Sequence, residues 1–164
     1  MCYFWEVLYH EKMLKRPLLF LFPVLLFFLG CGKGNYNPDI QPAQVQIDID
    51  PASTLYQGLN TVGGWIYVKN GDPGVYLSSE SRGVIIYRVG INDFKAYDRI
   101  PPNNPNQCGT STVLVVGDNF PFAKDPCTGN MYNLLDGTLY SGSGTYPMIS
   151  YQAQYDGQLL HVYN

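Results

Sequence analysis

The sequence predicts an all-β domain, built as an antiparallel sandwich or barrel, and three observations lead to that prediction. Short runs rich in β-branched and aromatic residues recur after residue 44, separated by clusters of Gly, Pro, Asn and Asp. Two Asp-Gly pairs, Asp156-Gly157 and Asp136-Gly137, lie between such runs, where they favour hairpin turns. No stretch of about ten residues has a helical apolar period, apart from one turn expected near residues 51–59.

Eight strands are expected, each a run of β-formers that ends at turn residues. They cover residues 45–49, 64–68, 83–88, 94–97, 112–116, 131–134, 149–155 and 158–163. The last two flank Asp156-Gly157, and the sixth precedes Asp136-Gly137. Trp65 and most of the 12 tyrosines after Cys31 are expected in the core or in cross-strand pairs, rather than on a surface that stacks on sugars or contacts a partner.

The first 30 residues are predicted to be a signal peptide. Residues 13–16 are Met-Leu-Lys-Arg, and an apolar run over residues 18–29 follows, interrupted only by Pro23. A membrane-spanning helix needs about 20 apolar residues, so a span is the weaker interpretation. Glu6 and Glu11 do not suit a signal peptide, and Met13 is the alternative start of translation.

Residues 28–31, Phe-Leu-Gly-Cys, resemble the lipobox of bacterial lipoproteins, in which the cysteine is acylated and becomes the first residue. The resemblance implies cleavage before Cys31 and a lipid anchor in the cell envelope, which we expect on the periplasmic side of the outer membrane. An uncleaved anchor and ordinary secretion are the alternatives. Residues 31–44, with Pro38 and Pro42, are predicted to be the lipidated end and a flexible spacer, and residues 45–164 the domain.

The charge of this mature part argues against nucleic acid as a partner. From Cys31 onward there are seven Lys and Arg against eleven Asp and Glu, a net charge of −4, and no basic cluster. Membrane association therefore depends on the acyl chains, and an envelope protein is the expected partner.

Cys108 and Cys127 are expected to form a disulfide, because each lies in a Gly-, Pro- and Asn-rich loop of an exported protein. The bridge would close a loop of about 18 residues and contribute roughly 3 kcal/mol in the chain-entropy model. A metal site is the alternative, but two thiolates fall short of the four ligands that a structural zinc site needs.

The chain resembles the Rieske iron-sulfur fold, and specifically Rieske-like lipoproteins of Bacteroidetes-type bacteria. The resemblance is carried by residues 83–88 and 94–99, then by 125–137, Gly142-Ser143-Gly144 and the Pro147, Met148 and Tyr151 positions. It implies an antiparallel β-sandwich or barrel base with a small cap from about residue 98 to 140. It also places Cys108 and Cys127 where some family members have a loop-bridging disulfide.

The same resemblance implies that the cluster ligands have been replaced. The two cysteine ligands fall on Pro101 and Asp125, and the two histidine ligands on Asn103 and Thr128. A Rieske centre needs two cysteines and two histidines, whereas His161 is the only histidine after Cys31. We therefore expect no cofactor and no metal; a [2Fe-2S] electron-transfer protein is the alternative function.

No catalytic residue is predicted. His161 lies in the last expected strand, where a solvent-facing histidine is the simpler interpretation than a general base. Ser143 lacks the glycine pattern of a nucleophile elbow. Asp48 and Asp50 are expected to form a solvated strand edge, with acid-base catalysis or weak calcium binding as alternatives. The sequence thus predicts a membrane-tethered binding or structural module in the cell envelope, not an enzyme.

Overall fold

The computed structural model describes residues 36–164, and the predicted signal peptide and Cys31 lie outside this range. The described chain is almost entirely β, as predicted, with short 3-10 helices at Thr54–Leu59 and Gly117–Asn119. Its strands are β1 Val45–Ile49, β2 Trp65–Val68, β3 Val75–Leu77, β4 Val84–Arg88, β5 Phe94–Asp98, β6 Phe122–Lys124, β7 Met131–Asn133, β8 Leu139–Ser141, β9 Ser150–Tyr155 and β10 Leu160–Tyr163.

Seven of the strands described in residues 36–164 form a nearly closed antiparallel barrel, which we call the barrel. The strand order is β2-β4-β5-β9-β10-β1-β3. β1 lies between β10 and β3, so the two ends of the described chain pair within one sheet. The remaining strands form a separate three-stranded sheet in the order β6-β7-β8.

The barrel forms because its strands alternate apolar and polar residues. In β1, Val45, Ile47 and Ile49 are buried, and the intervening Gln46 and Asp48 are exposed, as expected of a strand with one face on a core. The barrel core buries aliphatic side chains from most of its strands, among them Ile47, Ile49, Val68, Val84, Ile86, Leu160 and Val162.

The three-stranded sheet packs on the outside of the barrel through a second core. This core combines Ile85 and Tyr97, from the barrel, with Ala123, Tyr132 and Leu134, from the small sheet or beside it. Trp65, Tyr67 and Tyr87 pack at its margin and are half-buried. Some tyrosines lie in a core as predicted, since Tyr56, Tyr97, Tyr132 and Tyr151 are buried, whereas Tyr76, Tyr140 and Tyr163 are exposed.

Most expected strands are present, and the differences occur where strands are shortest. Residues 112–116 are not a strand, because only Val115 makes a β-bridge, to Lys124. β3, β6 and β8 were not expected; each has three residues, too few to show an apolar period. Both Asp-Gly hairpins exist, and Asp156-Gly157 lies in a connection of four residues between β9 and β10.

The second half of the predicted flexible spacer, residues 31–44, is part of the folded domain instead. Ile40 and Ala43 are 6% and 1% exposed and belong to the barrel core. Asn37 is also buried, and its Nδ2 donates to the Pro102 carbonyl at 2.9 Å. Residues 37–43 are therefore part of the folded domain, because two apolar side chains and one amide find buried partners there. No helix in residues 36–164 is long and apolar enough to cross a membrane.

Candidate functional site

Three loops meet at one end of the barrel, which we call the loop end. The first loop, residues 101–112, follows β5; the second, residues 125–130, connects β6 and β7; the third, residues 142–149, connects β8 and β9. All four positions that the resemblance assigns to cluster ligands lie in the first two loops. The opposite end of the barrel, the far end, carries the turn between β9 and β10 at residues 156–159.

Asn103 joins the first loop to the third. Its side chain is 7% exposed, and its Oδ1 accepts hydrogen bonds from the backbone N–H groups of Thr145 and Tyr146 at 3.0 and 3.2 Å. Its Nδ2 donates to the Tyr146 carbonyl at 3.1 Å and to the Tyr132 hydroxyl at 3.0 Å. All the hydrogen-bonding groups of this amide are thus used inside the protein.

Asn130 makes the equivalent connection from the second loop. It is 1% exposed, its Oδ1 accepts from the Ser143 N–H at 2.9 Å, and its Nδ2 donates to the Ser143 carbonyl at 2.9 Å. Close approach requires glycine on the third loop, since a Cβ on Gly142 would lie 2.1 Å from Asn130 Oδ1, and one on Gly144 would lie 2.5 Å from Asn103 Nδ2. The Gly-Ser-Gly segment therefore packs closely against the side chains of Asn103 and Asn130.

Tyr132 connects the two asparagines beneath the loops. Its ring is fully buried in the second core, and its hydroxyl accepts from Asn103 and, at 3.5 Å, from Asn130 Nδ2. Burial raises the pKa of this hydroxyl. The hydrogen bonds from Asn103 and Asn130 oppose this shift but do not cancel it. The tyrosine is a neutral hydrogen-bonding group at neutral pH, and it links the polar loop end to the apolar core.

Asp125 and Thr128 form a turn within the second loop. Asp125 is fully buried; its Oδ1 accepts from the Cys127 N–H at 2.9 Å and its Oδ2 from the Thr128 hydroxyl at 2.6 Å. The Gly129 N–H donates to the Asp125 carbonyl at 2.9 Å. This carboxylate therefore acts locally, by fixing the backbone that follows it.

These residues do not fit a Rieske cluster. Pro101 has no side-chain donor atom for iron, Asn103 has its amide saturated, and both Asp125 oxygens accept hydrogen bonds from its own loop. The set contains no thiolate and no imidazole, which are the ligands of that centre. Within residues 36–164, no three His, Cys, Asp or Glu side chains lie together as metal ligands would.

Cys108 and Cys127 are at disulfide distance, consistent with the predicted bridge. Their Cα atoms are 5.8 Å apart, in the usual range for a disulfide. The cysteine pair joins the first loop to the second. Asn103 joins the first loop to the third, and Asn130 joins the second loop to the third. The loop end is therefore cross-linked among all three loops.

The three loops have no exposed charged side chain, but the exposed Asp39 borders the first loop. The exposed positions of the three loops are Asn104, Asn106, Gln107, Cys108, Gly109, Thr110, Ser111, Pro126, Gly129, Gly142, Ser143, Gly144 and Thr145. The adjacent Arg82 donates to the carbonyls of Pro105 and Thr112 and to Asn106 Oδ1, at 2.7–2.8 Å. The surface thus presents amide, hydroxyl and backbone groups.

A buried carboxylate lies where β5 enters the loop end. Asp98 is fully buried and accepts hydrogen bonds from the Ser81 and Tyr151 hydroxyls and the Ile100 N–H, at 2.8–2.9 Å. Desolvation raises its pKa, and these hydrogen bonds oppose the shift. Its partners come from the segment before β4, from β9 and from the chain just after β5, so Asp98 joins three parts of the fold and we assign it a structural role.

His161 and Asp48 meet on the outer surface of the barrel, away from the loops. His161 Nδ1 lies 2.6 Å from Asp48 Oδ1, and Nε2 lies 3.4 Å from Asp156 Oδ2. The hydrogen bond to Asp48, followed by the one to Asp156, raises the pKa of His161. Asp50 instead accepts from the Ala52 N–H. The group is an exposed cross-strand hydrogen-bonded pair, since β1 pairs with β10 at these residues.

Sequence reasoning missed Asn130 and Tyr132 as loop-end residues. Asn130 and Tyr132 lie next to residues that it singled out, but their contacts with the third loop depend on the fold. The one usable signal was Gly142-Ser143-Gly144 itself, because paired glycines mark places where other groups approach the backbone closely. Comparison with known proteins adds no assignment: no protein-family model and no curated protein matches the chain.

Proposed function

We propose that the protein is a lipid-anchored, cofactor-less Rieske-like module of the cell envelope, which binds a partner through its loop end. It is neither an enzyme nor an electron carrier in this proposal. The lipid on Cys31 provides the attachment to the membrane, and the folded domain provides the contact surface. The alternative, a [2Fe-2S] electron-transfer protein, would require ligands that the four assigned positions do not offer.

The observation that carries the proposal is the hydrogen-bonded unit of Asn103, Tyr132 and Asn130. In the resemblance, a metal cluster holds the first two loops together at this place. Here the two amides hold the loops, each with its polar atoms directed to protein partners. A loop end that is ordered by its own side chains needs no cofactor to keep a fixed shape, and a fixed shape lowers the entropic cost of binding.

The exposed composition of the loop end supports binding rather than catalysis. Asn, Ser, Thr and Gly provide adaptable donors and acceptors, as they do in binding loops of antibodies. The exposed side chains of the three loops include no titratable acid or base that could act together with the neighbouring Asp39, and Cys108 is engaged with Cys127. General acid-base catalysis would need such a group within reach of a substrate.

Iron analysis tests the cofactor part of the proposal. The protein, expressed under conditions in which iron-sulfur clusters assemble, should be colourless, with no visible absorption band and far less than two irons per chain. A brown preparation with stoichiometric iron would establish the electron-transfer alternative instead.

Charge insertion tests the binding part. The exposed residues Gln107 and Thr110 are substituted in Gln107→Glu and Thr110→Glu, and Gln158→Glu at the far end is the matched control. Co-purification of the lipoprotein with membrane neighbours should decrease at least about tenfold in the two loop-end variants, because an uncompensated charge at an interface is costly. Equal recovery in all three variants would contradict the proposal.

A further inference from the structure

The folded chain begins at the loop end, which restricts how a tethered domain can face its membrane. Asn37 is buried and donates to the Pro102 carbonyl of the first loop. Asp39 lines a shallow surface groove together with residues 104–107 of the same loop. The point where the domain meets its tether is therefore adjacent to the first loop, not to the far end.

The tether that remains is short. Six residue steps separate Cys31 from Asn37, and in any conformation a chain of that length spans at most about 22 Å. A domain of about 130 residues is roughly 35 Å across. Since the tether is shorter than the domain, the attachment point stays near the lipid surface, and the first loop stays with it.

The far end of the barrel lies well away from the loop end and its tether. The strands of the barrel run between the two ends, and β9, with six residues, spans roughly 20 Å. β9 begins beside the third loop and ends at the turn of residues 156–159, which is therefore displaced from the loop end by at least that length.

We infer that the tether holds the loop end towards the bilayer, and that its partner is a protein embedded in the same membrane, contacting it through uncharged polar loops. This inference rests on the proposed function, because it identifies the occupant of the same surface. It also reverses the arrangement that a flexible spacer implies, in which the binding end could point away from the membrane.

The chemistry of the loop end favours a protein over the lipid surface itself. Attraction to anionic headgroups requires Lys or Arg, and insertion requires exposed large apolar side chains. The exposed residues of the three loops include neither. Because a charge buried against amide and hydroxyl groups loses its water without gaining an opposite charge, the facing surface should be rich in backbone, amide and hydroxyl groups and poor in charge.

Energy transfer in vesicles tests the orientation without any partner. The intact lipoprotein carries a donor dye on an azide-bearing amino acid at Gln107 or at Gln158, and the vesicles carry an acceptor lipid. Transfer should be clearly stronger from position 107. Inserting 20 Gly and Ser residues after Lys33 should remove most of the difference, because such a linker adds about 25 Å of reach. Equal transfer from both positions at native tether length would overturn the inference.

Photo-crosslinking in native membranes tests the partner. A benzophenone amino acid at Gln107 or Ser143 should give an adduct with a protein that has membrane-spanning segments, and the long-tether variant should lose most of that adduct. The same probe at Gln158 should give none. Adducts only with lipid, with a glycan or with a protein lacking such segments would overturn the partner assignment.

The two failures are distinguishable. If energy transfer favours position 107 but no loop-end adduct of any kind forms, the orientation stands and the proposed binding function fails. If adducts form at the loop end but transfer is equal from both positions, the binding function stands and the inferred orientation fails. Cys31→Ala provides the control for the tether, since it should release the protein from the membrane; retention would overturn the inference.

Discussion

The barrel interior and the loop end are stabilised by different kinds of contact. The barrel core is a set of aliphatic side chains, many of them fully buried, and its strands pair along their length. The loop end has no strands of its own and depends on Asn103, Asn130, Tyr132 and one disulfide. Apolar packing depends mainly on volume, whereas a buried amide depends on the positions of its partners.

This difference implies that the two regions tolerate substitution differently. A conservative aliphatic change in the barrel should keep most of the stability. An apolar residue of the same size as asparagine cannot replace an amide in the loop end, because it leaves several backbone groups without partners. The following experiments test that contrast.

The largest loss is expected from a cavity in the barrel. Ile86 is fully buried in β4, and Ile86→Ala should lower the free energy of unfolding by about 4 kcal/mol, whereas Ile86→Val should lower it by about 1 kcal/mol. Urea denaturation at neutral pH measures both values. Equal losses for the two variants would mean that volume does not govern this core.

Removing the disulfide is expected to have the next largest effect. The Cys108→Ala/Cys127→Ala double variant should lose about 3 kcal/mol of unfolding free energy, since the sequence separation of 19 defines a loop of moderate length. Alkylation of the unreduced native protein should label neither cysteine. Free-thiol labelling of both would refute the bridge.

Asn103→Leu keeps the side-chain size and removes the amide. This substitution should lower the free energy of unfolding by about 2 kcal/mol, because the backbone groups of Thr145 and Tyr146 lose their partner and the Tyr132 hydroxyl loses a donor. Hydrogen exchange should speed up at the Thr145 and Tyr146 amides and remain unchanged in β1 and β10.

The matched control is Asn106→Leu in the same loop. Asn106 is exposed, and within residues 36–164 its side-chain oxygen accepts a hydrogen bond from Arg82 alone. The loss of unfolding free energy should therefore stay under about 1 kcal/mol. A similar loss in both variants would mean that burial of the amide is not what matters at Asn103.

The smallest effect concerns His161 and pH. Its pKa is raised by Asp48 and then Asp156, so the native state binds the proton more tightly than the unfolded state. The resulting stabilisation is complete below the unfolded pKa of about 6.5, and it is lost as the pH rises through the higher native value. NMR titration should give a His161 midpoint above 6.5 that falls in Asp48→Asn; an unchanged midpoint would contradict the assignment.

The sequence was sufficient for most strands of the barrel but not for β3 or for the contacts of the loop end, because strand patterns are local whereas those contacts join distant residues. Val45 to Ile49 could be identified as a strand because alternation is a local property, and it begins and ends where expected. The Asn103 contacts join residues more than 40 positions apart, and no local pattern encodes them. The same limit explains the spacer, since nothing near Asn37 in the sequence indicates that Pro102 will accept its hydrogen bond.

The lack of exposed charge on the three loops has a kinetic consequence. Such loops give a partner little long-range attraction beyond that of the neighbouring Asp39, so association in solution should proceed at about 10⁵–10⁶ M⁻¹s⁻¹ and change little with salt. Under the proposed lipid anchor, confinement to one membrane would compensate, because a tether raises the effective concentration of the domain near any partner in that membrane. The lipid anchor would then determine how often the two proteins meet, and the asparagine-ordered loops would determine how long they stay together.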